Sequence, residues 1–168
     1  MVTNAARNDY TFRRFARRFI GSGLYLPALY TEELGGLAIP FDMSGSISQA
    51  DANSIASELQ GLFDDCRPDW VEVCYFDTKV CNVQRFERGD QLALKPRGGG
   101  GTAFRAPMEH FARVAEKEPI CGMIFFTDMA SNDLMQLQEP QYPVIWANIA
   151  GGDSDHKVPF GRLVNVNL

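Results

Sequence analysis

The chain has 168 residues, enough for one domain with its own core, and 45% of them are hydrophobic. A formal net charge of -5 disfavours non-specific binding to nucleic acid, and no apolar run approaches the roughly 18 residues that span a membrane. The four cysteines lack C-x-x-C spacing, so we expect free thiols in a reducing cytoplasm; a Cys74–Cys81 disulfide across a hairpin is the minor alternative.

Residues 1–35 differ from the rest and are predicted to form a basic N-terminal arm or linker, with a short helix near Tyr10–Phe19. The basic side chains of this arm are Arg7, Arg13, Arg14, Arg17 and Arg18. We interpret it as a solvated or interface-facing segment, the alternative being a patch for nucleic acid or an acidic partner. An arginine pair before an apolar stretch resembles a secretion signal, but Gly21, Gly23 and Pro27 interrupt that stretch and no small-residue cleavage site follows.

From Gly36 onward, predicted strands alternate with predicted helices. Short apolar runs predict strands at 36–41, 70–76, 120–127, 144–147 and 163–166, and the chain after 70–76 is predicted to return as a strand at 80–86. Helical spacing predicts helices over 48–63, with Ser48 as the N-cap, and over 107–115. Pro40 cannot donate a ladder hydrogen bond, so we expect a bulge there. Only three residues join the strands at 70–76 and 80–86, which predicts an antiparallel hairpin at the edge of a mostly parallel sheet.

Oxygen-bearing side chains follow three of the predicted strands. A D-x-S-G-S sequence begins at Asp42, a run of four glycines ends at Thr102, and Asp128 follows the strand at 120–127. Because ligands of open α/β sheets bind beyond the carboxyl ends of the strands, we expect these side chains to meet. Two carboxylates and three hydroxyls suit Mg²⁺ or Mn²⁺ better than zinc. The predicted metal ligands are Asp42, Ser44, Ser46, Thr102 and Asp128.

Each of these features also has a simpler interpretation. D-x-S-G-S is typical of a turn and helix N-cap, and Asp128 could cap a helix. The glycine run could be a flexible loop or a phosphate cradle, although the Gly-Lys-Ser/Thr of a P-loop is missing. Asp77, at the end of another strand, could support the metal ligands or only shape a turn. His110 is expected to be a surface helix residue, and the sequence shows no carboxylate partner for it. Trp146 and Phe160 are expected to be packing residues.

The ordered motifs resemble the metal-ion-dependent adhesion site of von Willebrand factor A (VWA) domains, and the resemblance runs from about Gly36 to the C-terminus. The D-x-S-G-S residues match the first motif of that site, Thr102 matches the second and Asp128 the third. The resemblance implies a VWA-like, Rossmann-like three-layer α/β sandwich over residues 36–168. Its sheet would be mostly parallel with one antiparallel edge strand.

Further strings are similar to a bacterial group in which a VWA-like domain follows a predicted zinc metallopeptidase domain. They are Asp9-Tyr10-Thr11, Tyr25-Leu26-Pro27, Gly98 to Thr102 followed by Phe104, Pro143-Val144-Ile145-Trp146, and Pro159-Phe160-Gly161. The H-E-x-x-H motif of that upstream domain is absent, since the only histidines are His110 and His156. The chain therefore resembles the C-terminal half of such proteins, as a fragment or as a standalone gene product.

The resemblance implies a metal-ion-dependent protein-interaction module without catalysis of its own. Its cation would take an acidic side chain from a protein partner, for which a MoxR-type AAA+ ATPase and a metallopeptidase domain are the candidates. The alternative is a metal-dependent hydrolase that acts on a phosphoester. No evident general base or nucleophile accompanies the three motifs, which argues against the hydrolase.

Overall fold

The computed structural model describes residues 35–43, 48–97, 99–149 and 157–166, without the side chains of residues 65 and 66. The expected N-terminal arm, except for its last residue, lies outside the described residues. So do two of the predicted metal ligands, Ser44 and Ser46.

The described residues form six strands and two α-helices. In chain order these are β1 (Gly36–Asp42), α1 (Gln49–Cys66), β2 (Trp70–Phe76), β3 (Val80–Glu87), α2 (Arg105–Ala115), β4 (Ile120–Thr127), β5 (Val144–Asn148) and β6 (Arg162–Asn165). A single 3-10 turn, Leu134–Gln136, lies between β4 and β5. Each strand and helix predicted from Gly36 onward is present, with ends displaced by three residues or fewer. The short helix predicted near Tyr10–Phe19 lies outside the described residues.

All six strands form one sheet in the order β3-β2-β1-β4-β5-β6. Neighbouring strands run parallel except for β2 and β3, which are antiparallel. This confirms the mostly parallel sheet with one antiparallel edge strand. After β1 the chain proceeds to one side of that strand, and it later returns to the other side as β4. The order therefore reverses between β1 and β4, where open α/β sheets place their ligand crevice.

The two faces of the sheet carry separate hydrophobic clusters. Leu37, Ile39 and Phe41 of β1 belong to the cluster that includes the apolar side of α1. Ala38 belongs to the opposite cluster, with Phe111 of α2. This alternation follows from the two-residue repeat of a strand. The sheet is thus the middle layer of a three-layer α/β sandwich.

Ser48 is the N-cap of helix α1, as predicted. The Ser48 hydroxyl accepts a hydrogen bond from the Asp51 amide at 3.1 Å, and Asp51 Oδ2 accepts one from the Ser48 amide at 2.9 Å. This reciprocal capping box satisfies two amides at the helix N-terminus. The helix ends at Arg67, whose φ of 47° lies in the left-handed region.

The bulge expected at Pro40 is not present. Pro40 pairs with Cys74 in unbroken register, and the pairing of β1 with β4 has the same offset before and after it. Proline removes one amide donor, but its φ of about −65° lies at the edge of the extended region, so a strand can continue through it. The irregularity lies instead between Gly36 and Leu37.

Cys74, Cys81 and Cys121 are free thiols, so the alternative of a hairpin disulfide is not realised. Among the described residues, no helix has the length and apolar character needed to cross a membrane.

Candidate metal centre

The Asp42 carboxylate is buried at the carboxyl end of β1, with 1% of the residue exposed. Thr127, the last residue of β4, donates a hydrogen bond from Oγ1 to Asp42 Oδ2 at 2.8 Å. Thr102 Oγ1 lies 3.3 Å and 3.4 Å from the two Asp42 oxygens. Two hydroxyls from different segments therefore converge on this carboxylate, at the point where the strand order reverses.

Asp128 follows directly after β4 in a tight turn. Its Oδ1 accepts a hydrogen bond from the Ala130 amide at 3.0 Å, and the Met129 amide donates to Thr127 Oγ1 at 3.0 Å. Met129 has a φ of 65°, a left-handed conformation that costs a non-glycine residue about 1–3 kcal/mol. Burial of the Met129 side chain offsets part of this strain. The turn places Asp128 at the same edge of the sheet as Asp42.

The glycine run is attached to the end of β2. The Ala103 amide donates to the Asp77 carbonyl at 2.9 Å. Gly99 has a φ of 153°, which L side chains rarely adopt. A Cβ atom on Gly100 would lie 3.6 Å from Asp77 Oδ2, an ordinary van der Waals distance. Among the described glycines of the run, Gly99 is therefore the one whose backbone requires glycine.

Asp77 contacts both the hairpin turn and the glycine run. Its Oδ1 accepts hydrogen bonds from the Lys79 amide at 3.1 Å and the Thr78 hydroxyl at 3.3 Å. A hydrogen bond from the Cys81 thiol, together with backbone amides that include Gly99, lowers the pKa of the Asp77 carboxyl. The Asp77 side chain thus shapes the turn and also lies against the glycine run.

The structure brings some of the predicted ligands together and leaves others undescribed. Asp42 and Thr102 are in contact, and Asp128 adjoins them through Thr127. Among the described residues there is no group of three or more His, Cys, Asp or Glu side chains that could hold a metal. The predicted donor set differs from such a group, because hydroxyls make up more than half of it. Carboxylate and hydroxyl oxygens are hard ligands, and this chemistry fits Mg²⁺ or Mn²⁺.

Thr127 is the contact that the motifs did not identify. It is fully buried and bonds directly to Asp42 across a sequence separation of 85 residues. Its only sequence signal is a hydroxyl at the end of an apolar strand, next to an acidic motif residue.

His110 lies in α2, as predicted, but it is only partly exposed and has a carboxylate partner that the sequence did not reveal. His110 Nε2 lies 2.7 Å from Glu72 Oε1, and Glu72 is buried. Arg85 approaches the same carboxylate and lies over the Trp70 ring at 4.4 Å from its centroid. The pair joins α2 to β2 across 38 residues, so sequence spacing could not reveal it. Glu72 lies four residues before the end of β2, which places this cluster about 13 Å from the strand end.

The packing roles of the two aromatic residues are confirmed. Trp146 is fully buried and stacks on Phe125 with ring centroids 4.4 Å apart. Its indole Nε1 donates to the Phe160 carbonyl at 2.8 Å.

Comparisons with known proteins agree with this architecture. A Thermotoga maritima protein described as "Uncharacterized protein" is 28% identical over 104 residues, which are 62% of this chain and 25% of that relative. The crystal structure of the ArnB paralog VWA2 from Sulfolobus acidocaldarius is similar with a TM-score of 0.56 and 18% identity, over 72% of this chain and 36% of that one. At this identity the likeness shows the fold alone. The family model for the VWA-like domain (DUF2201) matches residues 37–167, and the chain therefore belongs to this VWA-like family.

Proposed function

We propose that the chain is a metal-ion-dependent protein-interaction module that holds Mg²⁺ or Mn²⁺ at the carboxyl ends of β1 and β4. VWA-like domains are generally protein-interaction modules. The observation that carries the proposal is the convergence on the buried Asp42 carboxylate of a Thr102 hydroxyl that is 60 residues away in sequence. The proposed ligands remain Asp42, Ser44, Ser46, Thr102 and Asp128, with Asp77 supporting the Thr102 loop.

The chemistry of this donor set explains how a partner would bind. Three neutral hydroxyls and two carboxylates supply two negative charges, and if all five bind directly, one ligand position of a six-coordinate ion remains for water. An ion bound in this way can exchange a water for a carboxylate oxygen from another protein. We therefore propose a cytoplasmic partner that presents an Asp or Glu side chain. Two candidates for this partner are a MoxR-type ATPase and the metallopeptidase domain of the bacterial group that the sequence resembles.

The residues around Asp42 favour binding over hydrolysis. A metal-dependent phosphoesterase uses a general base or nucleophile beside the metal. In the described part of the chain the single histidine, His110, is engaged with Glu72 at the other end of the sheet. Asp42 accepts hydrogen bonds from the hydroxyls of Thr102 and Thr127, which are poor bases.

A Mn²⁺ titration followed by electron paramagnetic resonance tests the metal site. We expect the wild-type protein to bind one Mn²⁺ and Asp128→Ala to bind about tenfold more weakly or not at all. Asp90→Ala is the matched control, because Asp90 caps a turn by accepting a hydrogen bond from the Glu87 amide at 2.9 Å, at the opposite end of the sheet. If the wild-type protein bound no Mn²⁺, the proposal would be wrong.

The interaction is tested with a purified candidate partner in Mg²⁺ and in EDTA. Binding that requires Mg²⁺ and is lost in Asp128→Ala supports the adhesion role. Equal binding in EDTA contradicts it. Turnover of p-nitrophenyl phosphate that depends on Mg²⁺ and disappears in Asp128→Ala would instead favour the hydrolase.

A further inference from the structure

The segment after Asp128 contacts both Thr102 and the start of α2. The Ser131 hydroxyl lies 2.5 Å from Asp133 Oδ1 and 3.1 Å from the Thr102 carbonyl oxygen, two acceptors that share its single proton. Asp133 Oδ2 accepts a hydrogen bond from the Arg105 amide at 3.2 Å. Ser131 and Asp133 therefore join the Thr102 segment to the segment that carries Asp128.

Asp133 takes the place of an N-cap for α2. The residue before the helix, Phe104, makes no side-chain hydrogen bond to the helix amides. The first amides of a helix lack partners within the helix, and a carboxylate there is also favoured by the helix dipole. Asp133 supplies this acceptor from 28 residues away. The start of α2, and with it the preceding Thr102, is held at a fixed distance from the strand end of β4.

Thr102 needs such support because its own contact with Asp42 is long. Distances of 3.3 Å and 3.4 Å lie near the limit for a hydrogen bond between oxygens. A shift of the Thr102 loop by a few tenths of an ångström would break the contact. Metal ligands are usually fixed to about this precision by the hydrogen bonds of their neighbours.

We propose that Ser131 and Asp133 are positioning residues for Thr102, and that they tune the affinity of the site for its cation without binding it. The inference rests on the proposed metal site and adds two residues that none of the three sequence motifs contains. It predicts that Ser131 affects metal affinity only by holding the Thr102 hydroxyl in place.

The test is a double-mutant cycle read by Mn²⁺ titration of the full chain. We expect Ser131→Ala to weaken Mn²⁺ binding about tenfold and Ser131→Thr, which keeps the hydroxyl, to restore it to within about twofold. In a Thr102→Val background, Ser131→Ala should cause no further loss, because the ligand it positions is gone. A purely structural role would give the same loss in both backgrounds. Ser57→Ala, which removes an exposed α1 hydroxyl bonded to the Asn53 carbonyl, is the control.

Urea unfolding in EDTA shows which variants are folded. Should Ser131→Ala not fold, Asp133→Asn takes its place in the same cycle, since it keeps one of two acceptor oxygens and should weaken binding about threefold. Unchanged Mn²⁺ affinity in the folded variants overturns the inference and leaves the metal site standing. Failure of the wild-type protein to bind Mn²⁺ overturns the proposed function itself, so the two failures are distinguishable.

Discussion

Replacing Thr127 by valine tests how the fold keeps the Asp42 carboxylate buried. Thr127 is fully buried, donates to Asp42 Oδ2 at 2.8 Å and accepts from the Met129 amide at 3.0 Å. Valine has nearly the same shape but no hydroxyl. The substitution therefore removes both hydrogen bonds while it leaves the packing almost unchanged.

The expected loss of stability follows from these two contacts. A hydrogen bond to a charged acceptor contributes about 1.5–3 kcal/mol, and a buried amide left without its partner costs about 1–3 kcal/mol. Together they predict that Thr127→Val lowers the free energy of unfolding by about 2.5–6 kcal/mol. This is a large share of the roughly 5–15 kcal/mol that stabilises a typical domain.

Urea unfolding in EDTA, followed by the fluorescence of the buried Trp70 and Trp146, measures this loss. Thr127→Ser is the matched control, because it keeps the hydroxyl and loses one methyl group, at a cost of about 1 kcal/mol. A Thr127→Val variant destabilised by less than about 1 kcal/mol would refute the reasoning. So would a serine variant that is destabilised as much as the valine variant.

Three further outcomes are expected. Gly36→Ala should lower the urea midpoint strongly, since a Cβ atom there would lie 2.0 Å from Trp70 Cε2; a midpoint near that of the wild type would show that the ring moves easily. Burial raises the pKa values of Cys74 and Tyr75 to about 12. Raised folded-state pKa values contribute stability that is complete below the ordinary pKa values of 9.0 for cysteine and 10.0 for tyrosine and is lost as the pH rises through the folded values. Urea midpoints should therefore fall between about pH 9 and about pH 12, and a flat profile would contradict this. Ser48→Ala should cost about 1 kcal/mol through loss of the α1 cap, measured by the same unfolding assay.

Local signals were enough to predict most of the fold. The strand over Trp70–Phe76 is an apolar run interrupted only by Glu72, and the three residues after it leave no room for a crossover. Both the strand and its antiparallel partner therefore followed from the sequence. Ser48 identified the start of α1 because a capping box is local. The end of α1 was placed too early because the left-handed residue there is Arg67, whereas glycine is the usual signal.

In the candidate site, too, local sequence signals predicted some residues, whereas the contacts of others depend on the fold. Asp42 and Thr102 were predictable because their motifs lie at strand and helix boundaries that the sequence reveals. Thr127 and Ser131 were not, because their contacts with Asp42 and Thr102 depend on strand order, on register and on the course of a turn. The same limit applies to Glu72 and His110, which meet only because α2 packs over β2.

The chemistry of a hydroxyl beside Asp42 explains why threonine suits position 102. A hydroxyl that donates to a buried carboxylate stabilises its charged form but leaves the negative charge in place. The oxygen of the same hydroxyl keeps lone pairs that can face a cation. In the proposed metal-bound form, Thr102 can bind the ion through that oxygen with little movement of its backbone. A lysine in its place would neutralise Asp42 and remove the attraction for the cation, so a neutral donor combines a stable fold with an available site.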